Sequence, residues 1–272
     1  MDGLSSGLEH CMKGRKYLFP DVIELNYQAE RKLGVNVYLV DGGDSFILID
    51  IGYEDTVDEI IDLIREMDFS LAKCSGIIAT HADADHAQGL ARAKSRLKVP
   101  VLAHGDCARL LETGDRIATF ASIDAQDIDL EMPPVKVDRL IGEGENIEVG
   151  TKRLQVWHTP GHAVGQLAFR MGILLFSGDN IYKDGCVGAI DAHHGSDIEK
   201  FIQSLERIAA SHAQFLLPSH GPAFRKDDAQ LHKTIARLKG YLSMADFGTC
   251  AKHWPLLEQW EKDVLSGRMP KF

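Results

Sequence analysis

The sequence predicts an α+β fold class, in which two strand-rich halves of the chain each carry flanking helices. Short apolar runs with the alternation of β-strands occur in both halves, and segments with apolar residues three and four positions apart follow them. The length of 272 residues fits one large domain or two small ones, and 44% of the residues are hydrophobic. The chain is therefore long enough to bury a sizeable core.

In the first half, Asp41-Gly42-Gly43-Asp44 separates two apolar runs and predicts a β-hairpin. Residues 54–67 have apolar side chains at helical spacing, and residues 90–97 contain good helix formers without a breaker. The predicted strands of this half are 21–25, 35–40, 46–49, 76–79 and 99–103, and the predicted helices are 54–67, 90–97 and 106–111.

Residues 112–135 interrupt this alternation with Gly114, an acidic run and Met132-Pro133-Pro134. Long loops in compact domains often serve as lids or binding loops. We therefore interpret the segment as an insertion near the functional site, with an inert surface excursion as the alternative.

The second half contains a second predicted hairpin around Met171-Gly172. The predicted strands are 135–140, 147–149, 154–157, 166–170, 173–176 and, as the last one, 215–217, with helices at 196–211, 227–244 and 255–265. We divide the chain into a loosely ordered extension (1–20), one domain (21–240) and a C-terminal helical segment (241–272). That helical segment has an apolar face, which we expect to pack on the domain or on a second copy in a homodimer.

The net charge of −10 argues against tight binding to nucleic acid or to anionic membranes. Five cysteines, no two close in sequence, indicate free thiols in a reducing cytoplasm rather than a disulfide framework. No apolar run approaches the ~20 residues of a membrane helix. We expect a cytoplasmic protein that acts on a small molecule, with no nucleic-acid or membrane partner.

The segment from Thr80 to Gly89 concentrates polar residues at the end of a predicted buried strand. Its sequence His81-Ala82-Asp83-Ala84-Asp85-His86 places two imidazoles and two carboxylates within six residues. Buried charges of one sign are costly unless a counter-charge neutralises them, and imidazole and carboxylate are ordinary ligands of zinc, iron and manganese. The segment indicates a metal site. The alternative is a loop in which Asp83 or Asp85 caps the next helix and the histidines are solvated.

Three further strands are followed by a residue of the same kind. His162 follows 154–157, Asp179 follows 173–176 and His220 follows 215–217, each at a turn that contains Gly or Pro. A single histidine at a strand end is more often structural, but coincidence is a poor account of four strands that end in this way.

Together these motifs resemble the metallo-β-lactamase superfamily over most of the chain. The first motif of that family is usually His-x-His-x-Asp-His, which residues 81–86 match except at Asp83. The later metal-binding motifs look like Thr159-Pro160-Gly161-His162, Ser177-Gly178-Asp179 and Pro218-Ser219-His220-Gly221, and Asp50-Ile51-Gly52 is similar to an early Asp-x-Gly turn. The resemblance implies an αβ/βα sandwich of two mixed β-sheets with helices on both outer faces.

The resemblance also implies two divalent metal ions. One would be bound by His81, Asp83, His162 and Asp179, and the other by Asp85, His86, Asp179 and His220, with Asp179 as the bridge. An oxygen donor at position 83, where the family usually has histidine, moves the preference from zinc toward iron or manganese. The added negative charge also makes the site less able to acidify bound water. As the alternative, Asp83 orients a ligand without touching the metal.

Three functional readings follow from the resemblance. The Thr159-Pro160-Gly161-His162 motif looks like the glyoxalase II and lactonase branch, which implies a dinuclear metal-dependent hydrolase of thioesters, lactones or similar acyl compounds. A metal-bridging hydroxide would attack the substrate, and Asp85 would orient it and accept its proton. A carboxylate at position 83 also resembles the flavodiiron reductases, which have Glu there, so the alternative is a diiron protein or sensor for oxygen or nitric oxide. A phosphodiesterase or nuclease fits the acidic charge less well.

Five further side chains are assigned from their positions alone. Tyr182, His193 and His194 follow Asp179 on a segment expected to border the pocket, so they are candidates for substrate contacts. His104 and His158 also lie at strand ends, but we interpret His104 as structural and His158 as structural or as support for a ligand.

Overall fold

Two mixed β-sheets pack face to face in the computed structural model, and helices cover the outer face of each sheet. The structure describes residues 15–25, 34–123, 127–191, 195–242, 262 and 266–267. This αβ/βα sandwich confirms the predicted fold class. Within these residues, no helix is both long and apolar enough to cross a bilayer.

The first sheet contains seven strands. In their order across the sheet they are β1 (Arg15–Phe19), β2 (Val22–Leu25), β3 (Val37–Asp41), β4 (Phe46–Ile49), β5 (Cys74–Ile78), β6 (Val101–Ala103) and β9 (Arg139–Leu140). Pairing is antiparallel from β1 to β4 and parallel from β4 to β9. A separate small hairpin joins β7 (Ser122–Ile123) and β8 (Ile128–Asp129).

The second sheet contains six strands. They are β10 (Asn146–Val149), β11 (Lys152–His158), β12 (Leu167–Met171), β13 (Leu174–Gly178), β14 (Phe215–Pro218) and β15 (Phe224–Arg225), in this order. Only β13 and β14 pair in parallel. Parallel strands end at the same edge of a sheet, which places the ends of β13 and β14 side by side.

Among the described residues, six α-helices accompany the sheets: α1 (Val57–Glu66), α2 (Ala84–Ala87), α3 (Leu90–Leu97), α4 (Gly105–Thr113), α5 (Ile198–Ala210) and α6 (Asp228–Leu242). Helices α1, α3 and α4 bury apolar stripes against the first sheet, and α5 and α6 do so against the second. A third apolar layer, which includes Ile49, Leu102 and Phe169, fills the space between the sheets. Burial of apolar area in these three layers is the main force that holds the sandwich together.

Three predicted segments differ from the structure. Residues 15–19 form the edge strand β1, although a loosely ordered extension was expected for 1–20. Only Arg139–Leu140 of the predicted strand 135–140 pairs with the sheet, because the Val135 amide donates to the Leu111 carbonyl of α4 instead. The strand 215–217 is not the last, since β15 follows and pairs with it.

Residues 112–135 lie against the polar segment at the end of β5. The Ala84 amide donates to the Thr119 carbonyl at 2.7 Å, and the Gln88 side chain donates to the Glu131 carbonyl at 3.0 Å. The segment thus forms one wall beside residues 80–89. Most of the predicted C-terminal helix 255–265 and the first 14 residues lie outside the described part of the chain.

Two glycines bring the sheets into backbone contact. Gly42 lies in the β3–β4 turn, where an added Cβ would come within 1.9 Å of the Val149 carbonyl oxygen. Gly150, with φ of +53°, would place a Cβ 2.3 Å from the Gly42 oxygen, and the neighbouring Thr151 amide donates to that oxygen at 2.9 Å. A side chain at either position would push the sheets apart.

We expect Gly42→Ala to lower the free energy of unfolding by about 2 kcal/mol or more, because the methyl group would displace backbone of the opposite sheet. Gly105→Ala is the matched control, since an added Cβ there meets no atom within 4 Å. Urea denaturation of both variants measures the difference. Equal stability of the two variants would contradict the close contact.

Candidate metal centre

Four connections meet at one edge of the sandwich. His81, Asp83, Asp85 and His86 lie between β5 and α3, on the first sheet. His162 follows β11, Asp179 follows β13 and His220 follows β14, all on the second sheet. The Leu167 amide donates to the Thr80 carbonyl at 2.8 Å and fastens the two sheets together at this edge.

The predicted ligands form two groups of atoms. One atom each of His81, His162 and Asp179 lie within 4.8 Å of one another, and the same holds for Asp85, His86 and His220. Asp179 faces both groups, because its Oδ2 atom is 3.6 Å from His162 Nε2 and 3.4 Å from His220 Nε2. The arrangement has the form of two adjacent sites with Asp179 between them.

Asp83 points into the first group. Its Oδ2 atom lies 3.0 Å from His162 Nε2 and 3.5 Å from His81 Nε2. Although Asp83 precedes α2, its side chain makes no capping hydrogen bond to that helix. Asp83 thus occupies the N-cap position of α2, but its carboxylate faces His81 and His162 instead of bonding to the helix.

Each of the four histidines directs Nε2 into the cluster, because Nδ1 contacts an oxygen on the other side of the ring. The partners are Thr80 Oγ1 for His81 (2.9 Å), Asp50 Oδ2 for His86 (3.0 Å), the Ala189 carbonyl for His162 (2.7 Å) and the Gly34 carbonyl for His220 (2.8 Å). Such contacts fix the ring and leave the Nε2 lone pair for a metal.

Asp50 links the two ligand groups, because it contacts His86 directly and His81 through Thr80. This buried carboxylate accepts hydrogen bonds from the Thr80 amide and the Thr80 hydroxyl, both at 2.8 Å, and also contacts His86. Because the Thr80 hydroxyl donates to Asp50, it accepts from His81. Neither Asp50 nor Thr80 is among the sequence-predicted site residues, although Asp50 also follows a strand, which is the signal that located the ligands.

The loop that carries His220 is held by the first sheet. The Asn36 side chain donates to the carbonyls of Pro218 and Gly221, at 3.0 and 2.6 Å, and the Tyr38 hydroxyl donates to the same Pro218 carbonyl at 2.6 Å. Through these bonds, β3 and the segment just before it position His220, a predicted ligand that the second sheet carries. No sequence pattern signals a contact across more than 180 residues.

Protonation of the cluster follows from its carboxylates. Burial alone would lower the pKa of His86, His162 and His220, but neighbouring carboxylates raise it to about 9, about 9 and about 11. Burial would raise the pKa of Asp83 and Asp179, yet the histidines hold both below the usual range. Without a metal, these histidines therefore carry protons that balance the buried carboxylates.

The donor set fits divalent metal ions. Three buried atoms that face the cluster, His81 Nε2, His86 Nε2 and Asp179 Oδ1, have no hydrogen-bond partner. Unpartnered buried polar atoms are costly, and a cation at each group would satisfy them. The mixture of imidazole and carboxylate suits zinc, iron and manganese.

The remaining predicted residues divide into three sets. Tyr182 lies at the site, with its ring edge toward His220 at 5.5 Å between centroids. His104 and His158 stack on each other at 4.4 Å outside the ligand groups, in agreement with a structural role. His193 and His194 lie outside the described residues, so their contacts stay predictions.

Comparisons with known proteins agree with this geometry. The chain is 31% identical to a β-lactamase-like protein 2 homolog of Drosophila melanogaster, over 74% of this chain and 63% of the relative. It is 28% identical to an acyl-coenzyme A thioesterase of Gallus gallus, over 64% of this chain and 66% of the relative. The matches span less than two thirds of the length of both curated relatives.

A solved structure is also similar. TTHA1623, determined in a di-iron-bound form, has a TM-score of 0.61 and 30% identity, with 75% of this chain and 94% of that one covered. The sequence profile of the metallo-β-lactamase superfamily matches residues 31–220, which include all seven predicted ligands. With this match and the convergent ligands, the chain belongs to the metallo-β-lactamase superfamily.

Proposed function

We propose that this chain is a hydrolytic enzyme that binds two divalent metal ions and cleaves acyl thioesters. The observation that carries the proposal is the pair of ligand groups on either side of Asp179, with three buried donor atoms lacking partners. The relationship to an acyl-coenzyme A thioesterase favours a thioester over a lactone or another acyl compound.

The ligands His81, Asp83 and His162 would hold one ion, Asp85, His86 and His220 the other, with Asp179 shared. When bound, such ions supply a Lewis acid for the carbonyl oxygen and lower the pKa of water. The protein holds its donors in place beforehand through the contacts at Nδ1 of each histidine, so little reorganisation is needed when substrate arrives.

Asp85 is the residue that we assign to proton transfer. Its Oδ2 atom lies 3.3 Å from His220 Nε2 and 3.5 Å from His86 Nε2, and its side chain is 16% exposed. A water molecule can therefore reach it, unlike the more deeply buried Asp179. The Asp85 carboxylate orients the attacking water and accepts its proton.

Tyr182 is assigned to substrate contact. Its hydroxyl hydrogen-bonds Asp179, and burial together with the nearby carboxylates raises its pKa well above the usual value. The phenol is therefore a neutral hydrogen-bond donor at the edge of the ligand cluster. Because a phenol has a single proton, Tyr182 would donate to a substrate oxygen beside the second group only after releasing Asp179.

A second candidate is a diiron protein that handles oxygen or nitric oxide. The carboxylate of Asp83 and the similarity to a di-iron-bound structure favour iron as a resident metal. Iron is also compatible with hydrolysis, so metal identity and activity must be measured together.

Chelator-treated protein should cleave no acyl-coenzyme A thioester, and activity should return with zinc, iron(II) or manganese(II). Elemental analysis of protein purified without added metal should find roughly two ions per chain. A fully loaded protein that hydrolyses no thioester would contradict the proposal. If that protein contained iron and its visible absorption changed with oxygen, the diiron candidate would replace it.

Asp50→Asn should weaken metal binding by about 10- to 100-fold, because an amide cannot accept every hydrogen bond that the carboxylate receives from Thr80 and His86. Competition with a chromophoric chelator measures the affinity. Asp138→Asn is the matched control, since Asp138 also accepts from a backbone amide, that of Val101, but lies away from the ligands. Equal affinity of the two variants would exclude the role of Asp50.

Metal binding should release roughly three protons per chain near pH 7, since coordination needs neutral imidazoles. In the metal-free protein the pKa of His86, His162 and His220 lies at about 9, about 9 and about 11, so all three are protonated at that pH. Metal titration in weakly buffered indicator solution counts the protons. His220→Gln should release about one fewer, and an unchanged count would disprove this protonation scheme.

A further inference from the structure

A small recess adjoins the half of the site that contains His81 and Asp83. It has a volume of about 30 Å³ and is enclosed by α4, by the 112–135 segment and by the turn after His162. Its walls are mostly apolar and comprise Ala82, Cys107, Leu110, Ala118, Ala163 and Val164. Since His81 and Asp83 also line the recess, a group bound there would lie beside the ligand cluster.

We infer that this recess binds the acyl group of the substrate and admits two or three carbon atoms beyond the carbonyl. The inference rests on the proposed thioesterase function and specifies its substrate class as short, uncharged acyl groups. The volume sets the size limit, because a space of roughly 10–15 Å³ accommodates one water-sized group.

The residues around the recess offer no free counter-charge to an acidic acyl group. Apart from His81, the described residues that line it include no basic side chain, while Asp83 and Asp106 are both acidic. In the described part of the chain, the arginine that contacts Asp106 is Arg109, which donates to it at 2.5 Å. Burial raises the pKa of the Cys107 thiol well above its usual value, so this wall is neutral as well.

The two halves of the site differ in access, which orients the substrate. The side chains of His81 and His162 are 1% and 5% exposed, whereas those of His220 and Asp85 are 23% and 16% exposed. A bulky thiol therefore leaves through the open side, past His220. The acyl group occupies the closed side, where each buried methylene strengthens binding about fourfold.

The test compares straight-chain thioesters of one thiol on the metal-loaded enzyme, from acetyl through butyryl and hexanoyl to octanoyl. We expect kcat/KM to rise from acetyl to butyryl and to fall beyond it. Ala118→Val narrows the recess and should lower the butyryl value about 10-fold with little change for acetyl. Leu110→Ala widens it and should move the optimum to hexanoyl. Ala91→Val, the same exchange on α3 outside the lining, is the control.

Binding of straight-chain carboxylates to the same loaded proteins, measured by calorimetry, gives a readout that does not need turnover. Tighter binding of butyrate than of acetate or hexanoate, lost in Ala118→Val, supports the recess as the acyl subsite. A chain-length profile that is identical in wild type, Ala118→Val and Leu110→Ala overturns it. Absence of thioester cleavage in the wild type contradicts the thioesterase, while the carboxylate series still decides the role of the recess.

Discussion

Mutual repulsion among buried carboxylates is the constraint on which this site depends. Asp50, Asp83 and Asp179 are each less than a tenth exposed and lie near one another at the meeting point of the sheets. Histidines separate them and carry protons when no metal is present. Positive charge is therefore required in either state, and protons and metal ions compete to supply it.

The site belongs to neither sheet alone. The first sheet contributes the 81–86 segment and the support of Asp50, while the second contributes His162, Asp179 and His220. Backbone bonds cross between them, from Leu167 to Thr80 and from Asn36 to Ser219, at 2.8 and 2.7 Å. Relative motion of the sheets would separate donor atoms, so the apolar layer between the sheets also fixes the geometry of the ligands.

Most strands and the seven residues that meet in the candidate metal centre could be predicted from the sequence, because local patterns encode them: an apolar run, a Gly- or Pro-containing turn and a polar side chain. Contacts between distant segments could not be predicted from the sequence in this way. The support of His220 by Asn36 depends on how the two sheets meet, and the support of His81 through Thr80 and Asp50 depends on how β4 and β5 pair within the first sheet. Residues 135–140 show the same limit, since a strand-like composition was overridden by a hydrogen bond to α4.

The side chain of Asp83 contacts other members of the cluster, and this has a consequence for the choice of metal. His86, His162 and His220 are each tied to backbone or to Asp50, so exchanging one of them would disturb its surroundings. The Asp83 side chain makes no capping hydrogen bond to α2 and contacts His81 and His162 instead. At the proposed metal site, exchange of this one residue would therefore alter the elemental preference, while the architecture that presents the other donors would stay intact.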